Sequence, residues 1–163
     1  LYGEMSQNGK WLCINSAGNY SSEAPATVVF DCADLSYRVL DVPATYNTPI
    51  MGDKFFIVGS SFSYETYETV FFVYTLNPED CSIEDCYCLP DGTENYSVID
   101  KILSMQSPYC VYQNPYTGHL YVSDAGSYAT AGTIYEYGTD GSELSHMTAY
   151  INPGHMLALP YVE

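Results

Sequence analysis

Positive charge is what this chain has least of. Its 163 residues hold three lysines and one arginine (Lys10, Lys54, Lys101 and Arg38) against 20 aspartates and glutamates, a formal net charge of −16. Nucleic-acid binding needs clustered cations to displace counterions from phosphates, and four scattered ones exclude it. An anionic membrane surface is disfavoured for the same reason. No run of 18 apolar residues occurs, so no candidate transmembrane helix is present. The chain opens at Leu1 without Met or an apolar h-region, so no signal peptide is visible and a mature, truncated or cleaved product is expected. Also missing are a serine nucleophile elbow, an HExxH pair, a phosphate loop and an EF-hand loop. The sequence therefore nominates no catalytic residue and no cofactor.

What is present points to many short strands. Hydrophobic residues make up 47% and charged residues 15%, the balance of one folded domain with a sizeable core. Runs rich in Val, Ile, Tyr and Phe alternate with Gly, Asn, Ser and Asp clusters, and helical periodicity is nearly absent. The clearest runs are Lys10–Asn15, Thr27–Asp31, Lys54–Gly59, Thr69–Thr75, Tyr109–Gln113, His119–Ser123 and Gly132–Tyr137. Only Tyr96–Met105 carries an approximate helical stripe, through Val98, Ile102 and Met105, and an irregular connection fits it equally well.

The chain is self-similar. Gly9–Ser16, Gly52–Ser60 and Gly118–Asp124 resemble one another, each a turn glycine followed by an apolar strand, and each returns to a second apolar strand. The turn glycines lie 43 and 66 residues apart, the excess falling in 91–107. A period of 40–50 residues with four strands per unit reads as β-propeller blades. We therefore expect an all-β chain of about three four-stranded antiparallel blades, near 1–42, 43–90 and 108–150. A closing strand is expected at 155–159, the whole forming one partial domain of a seven- or eight-bladed ring. Three blades leave two sheet faces open, so the remaining blades or a second copy are expected to close the ring.

Antiparallel order places the loops 15–26, 60–68 and 123–131 at one end, together with the connections near 43–49, 91–108 and 151–154. That end is the expected functional face, since a rigid frame presents variable loops there. Tyrosine is abundant, at 18 residues against 6 Phe and 1 Trp, and it combines a stackable ring with a polar tip. Tyr20, Tyr64, Tyr67 and Tyr128 fall in these loops, with Tyr46 and Tyr96 in the connections. Asp124, His155, Asn15, Asn19 and Asn47 are the polar candidates beside them. Tyrosines that merely cap strand ends would give the same pattern.

Glu65 and Glu68 form a tandem Tyr-Glu-Thr repeat, which reads as a solvated face before it reads as an acid–base pair. His119, His146 and His155 lack any ligand spacing. The six cysteines are expected as buried thiols or disulfides, because Cys81-x4-Cys86-x-Cys88 does not have zinc-knuckle spacing and no His lies nearby.

The stretch Asn114-Pro115-Tyr116-Thr117-Gly118-His119-Leu120-Tyr121-Val122-Ser123-Asp124-Ala125-Gly126, with Gly132-Thr133-Ile134-Tyr135 and Asn152-Pro153-Gly154-His155-Met156-Leu157-Ala158-Leu159, resembles the blade core and closing segment of YncE-like, surface-layer-type propellers, including lipoproteins of gut Bacteroidetes. The resemblance covers 108–159 best and is weaker over 5–90. It implies a ligand-binding propeller that is secreted, periplasmic or on the outer-membrane surface of a Gram-negative bacterium. Its sharpest implication is capture of a corrinoid of the vitamin B12 type, on the loop-rich face, for delivery to an outer-membrane transporter. A protein–protein scaffold at the outer membrane is the first alternative. A quinone-dependent or carbohydrate-active enzyme is the second, although a tricarboxylate quinone wants Arg or Lys clamps and Arg38 is the only arginine.

Overall fold

The computed structural model describes residues 2–16, 18–19, 22–42 and 44–160. The chain is mostly β, with one short helix. Sheet I contains β1 (Tyr2–Met5), β2 (Trp11–Ser16), β3 (Ala26–Asp31) and β4 (Tyr37–Leu40). Sheet II contains β5 (Tyr46–Ile50), β6 (Lys54–Ser63), β7 (Glu68–Leu76) and β8 (Ile83–Glu84). A two-stranded hairpin of β9 (Tyr87–Cys88) and β10 (Glu94–Asn95) follows, then helix α1 (Tyr96–Leu103). Sheet III contains β11 (Pro108–Gln113), β12 (Leu120–Asp124), β13 (Thr133–Tyr137) and β14 (Glu143–Thr148). Each four-stranded sheet is antiparallel and ordered as the chain runs. The first strand of sheet II lies against the first strands of both neighbours.

Burial explains the composition of each strand. Along β2 every second residue is buried (Trp11, Cys13, Asn15), because sheet I covers one face only. In β6 the run Phe55-Phe56-Ile57-Val58 is continuously buried, because sheet II is covered on both faces. Phe55, Ile57, Tyr74 and Leu76 meet Trp11, Cys13 and Val29 of sheet I. On the other side Phe56, Val58 and Val73 meet Val111, Leu120, Val122 and Tyr137 of sheet III. Trp11 is 7% exposed in the first seam, with Lys10 Nζ 4.5 Å and Arg38 Cζ 5.9 Å from its ring centre.

One turn recurs in all three sheets. Leu35, Tyr67, Cys81 and Gly118 each donate N–H to the carbonyl four residues back, at 2.8–2.9 Å, and hold φ of 60°, 59°, 61° and 72°. The first residue (Asp31, Ser63, Asn77 or Asn114) accepts a backbone N–H in its own side-chain oxygen, the local bond that favours these residue types in turns. Only Gly118 adopts the left-handed region at no steric cost.

Two expectations are corrected. Residues 155–159 form no strand. The segment instead lies over the outer face of sheet III, where Ser123 Oγ donates to Pro153 O at 2.8 Å and Ala158 N to Tyr112 Oη at 3.0 Å. The 91–108 connection does not belong to the loop-rich end throughout. It starts at the tight-turn end, where Asn95 Nδ2 donates to Asp140 O at 3.3 Å, and only Gln106 and Ser107 reach the loops, at Asp124. Helix α1 fills the seam between sheets II and III with Val98, Ile99 and Ile102, its first turn capped by the Asn95 side chain. Tyr96 is thereby carried away from the loop face and bonds Glu94 instead.

Candidate binding site

The first strands of the three sheets each present a tyrosine at the loop end: Tyr2, Tyr46 and Tyr109. Their rings touch in series, Tyr2 to Tyr46 at 5.0 Å between centroids and Tyr46 to Tyr109 at 5.2 Å. Tyr128 extends the row, 5.9 Å from Tyr109. His155 lies on the other flank, 6.0 Å from Tyr2 and 6.2 Å from Tyr46. Edge-on and tilted rings at these separations are favourable aromatic geometry. Burial, then a hydrogen bond to Glu4, pushes the Tyr2 phenol up, and burial, then a hydrogen bond to Tyr109, does the same to Tyr46. Both stay neutral at physiological pH.

Beside this row lies a cleft of about 740 Å³. Glu23 and Pro25 from the β2–β3 loop line it, with Phe62 and Tyr64 at the β6–β7 turn and Tyr109 and Tyr128 from sheet III. Loops of all three sheets thus share one concavity. Phe62 and Tyr64 meet edge to face at 5.2 Å, and Tyr64 is 74% exposed, so a ring face is free for a ligand.

Tyr128 is held with some strain. Its φ is 61°, a region that costs an L-residue about 1–2 kcal/mol, and its N–H bonds Ala125 O at 3.0 Å. Asp124 fixes the loop: Oδ1 accepts from Ser107 N and Gly126 N, both at 2.8 Å, and Oδ2 accepts from Gln106 N at 3.1 Å. Ser107 Oγ adds a bond to Gly126 O at 2.8 Å. The Asp124 carboxylate therefore ties the loop bearing Tyr128 to the start of β11, which bears Tyr109.

Of the residues singled out from sequence, Tyr64 and Tyr128 line the cleft, and His155 joins the aromatic row. Asp124 lies at the site but is committed to backbone. Tyr67 is 79% exposed at the top of its turn and is not in the cleft lining. Tyr20 lies outside the described residues. Asn15 and Asn47 are buried beneath the site, between sheets I and II, and among the described residues Asn15 Nδ2 and Asn47 Oδ1 lack partners. Glu65 is exposed on the β6–β7 turn, and Glu68 is exposed at the start of β7. His119 Nδ1 lies 2.8 Å from Glu136 Oε1, and Tyr121 and Ser145 donate to the same carboxylate.

Sequence reasoning missed Tyr2 and Tyr109. A signal for them exists, since Tyr2, Tyr46 and Tyr109 recur at nearly the spacing of the turn glycines. No protein-family model and no curated protein matches this chain.

Proposed function

We propose that the three sheets are consecutive blades of a YncE-like β-propeller and that the tyrosine-lined cleft is its ligand-binding face. The observation that carries this reading is the row Tyr2–Tyr46–Tyr109–Tyr128, whose last two members line a cleft built from loops of all three sheets. The cleft's volume falls within the 300–1,000 Å³ of small-molecule sites. Its walls offer ring faces and few charges, and the surrounding protein is strongly acidic. A flat, partly apolar ligand that is neutral or cationic suits it, and an anionic one does not. A corrinoid is the sharpest candidate, and the family resemblance then puts the protein at a Gram-negative cell surface beside a transporter.

The open apolar face of sheet I supports the propeller reading. The outer face of sheet I carries two apolar rows across its strands, Leu12–Phe30–Tyr37 and Ile14–Val28–Val39. Tyr37 and Val39 are 63% and 60% exposed. A face patterned in this way wants a further sheet, either another blade or a second copy.

Gel filtration with light scattering and visible absorbance, after loading with cyanocobalamin, tests both points. Cobalamin colour in the protein peak, lost in Tyr64→Ala/Tyr128→Ala, supports corrinoid capture. A folded, colourless peak refutes capture by these blades and leaves docking of a protein partner as the reading. A scattering mass of two chains identifies the second copy as the missing cover.

A further inference from the structure

We propose that Glu84, Cys86 and Cys88 form a binding site for a thiophilic divalent cation of the zinc class, at the tight-turn end of sheet II, away from the cleft. The cysteine spacing matches no zinc knuckle; the three-dimensional arrangement carries the inference. Glu84 ends β8, a bend at Asp85–Cys86 turns the chain, and Cys88 lies in β9. Thr75 Oγ1 fixes the bend by donating to Cys86 O at 2.6 Å. Tyr87, between the two cysteines, is anchored in the core, where Gln113 Nε2 donates to its hydroxyl at 2.7 Å. These anchors leave the two thiols and the carboxylate converging on one spot, their ligand atoms all within 4.8 Å of one another.

The separations match a coordination shell. Cys88 Sγ lies 3.3 Å and Cys86 Sγ 4.0 Å from Glu84 Oε2. Tetrahedral zinc with bonds of about 2.3 Å to sulfur and about 2.1 Å to oxygen sets sulfur–oxygen edges of about 3.6 Å. A cation already occupies the mouth of the cluster. Lys54 Nζ is 2.8 and 2.9 Å from the two Glu84 oxygens and 3.6 Å from Cys88 Sγ. Cys86 and Cys88 are 1% and 4% exposed, while about a third of the Glu84 side chain is accessible, so the ion enters past the carboxylate and displaces the lysine. Binding balances as loss of one proton from each thiol, formation of two metal–sulfur bonds and one metal–oxygen bond, and retention of a water in the fourth position.

The test titrates the reduced protein with Co²⁺ and with Cd²⁺ and follows the thiolate-to-metal charge-transfer band in the ultraviolet. The expected result is a band saturating at one ion per chain, with proton release. Cys86→Ser and Cys88→Ser abolish it, whereas Cys13→Ser leaves it unchanged. Glu84→Gln, at the accessible rim where folding is not at stake, weakens binding about tenfold through loss of the anionic ligand. Lys54→Met keeps the band and does not weaken it. Absence of a band at stoichiometric metal, or a band that survives both Cys86→Ser and Cys88→Ser, overturns the proposal. Neither result bears on the ligand cleft.

Discussion

Replacing Asp124 separates a ligand contact from a structural clamp. Its two oxygens accept three backbone N–H groups, two on Oδ1 and one on Oδ2. A hydrogen bond to a charged group contributes about 1.5–3 kcal/mol where it is well shielded, and these are partly exposed. Three bonds at about 1 kcal/mol each give about 3 kcal/mol for Asp124→Ala. In Asp124→Asn the amide oxygen keeps the bonds from Ser107 and Gly126, while the NH₂ group faces the Gln106 N–H donor to donor. The expected cost is about half, or about 1.5 kcal/mol. With a urea slope of about 2 kcal/mol/M for a chain of this size, the midpoints fall by about 1.5 M for Ala and about 0.7 M for Asn. The assay is equilibrium urea unfolding followed by circular dichroism. If Asn is as damaging as Ala, or both lie within about 0.5 kcal/mol of the parent protein, the clamp does not hold the loop as argued.

Two further substitutions test the frame. Leu35 is 76% exposed at φ 60°, so Leu35→Gly relieves left-handed strain and raises the thermal midpoint by about 2 °C. Gly118→Ala lowers it, because the added Cβ would sit 3.2 Å from Thr139 Cγ2 at φ 72°; scanning calorimetry on the pair checks the opposite signs. Hydrogen bonds from His119, then Tyr121 and Ser145, hold the Glu136 carboxyl down at about 2. A depressed carboxyl stabilises the fold above the ordinary glutamate range and loses that contribution as pH falls toward its folded value. Glu136→Gln is therefore less stable than the parent at pH 6, and the gap closes between about pH 4.5 and about pH 2. Urea midpoints measured across that range give the answer, and a gap independent of pH would refute it.

The strands were legible because their chemistry is local. Leu120–Asp124 and Thr133–Tyr137 announce themselves by β-branched and aromatic runs between turn residues. The double burial of Phe55–Val58 follows from its lack of alternation. What sequence could not fix was where chain without a ladder would go. The stretch 155–159 has strand-like composition, yet strand formation needs backbone pairing, and here Ala158 N bonds a side-chain hydroxyl, Tyr112 Oη, instead. The Asp91–Pro108 connection was misplaced because counting strands assumes that β8 runs full length, whereas it has two residues. At the site, repeat matching found Tyr64 and Tyr128 but drew Asp124 as a ligand group, since an aspartate suits either role and two of its three backbone partners, Gln106 and Ser107, lie 18 and 17 residues away in sequence.

The burial of Trp11 has an optical consequence. It is the only tryptophan of the 163 residues, and it sits where sheet I meets sheet II, 7% exposed. Indole emission excited at its red edge thus comes from that one boundary. Stacked repeats gain stability from nearest-neighbour interfaces, so sheet I can separate while sheets II and III remain together. An emission curve reports the first detachment, and the many tyrosines report the rest. Where the two curves coincide, the sheets melt as one cooperative body; where emission shifts first, the molecule comes apart from the end that sheet I occupies.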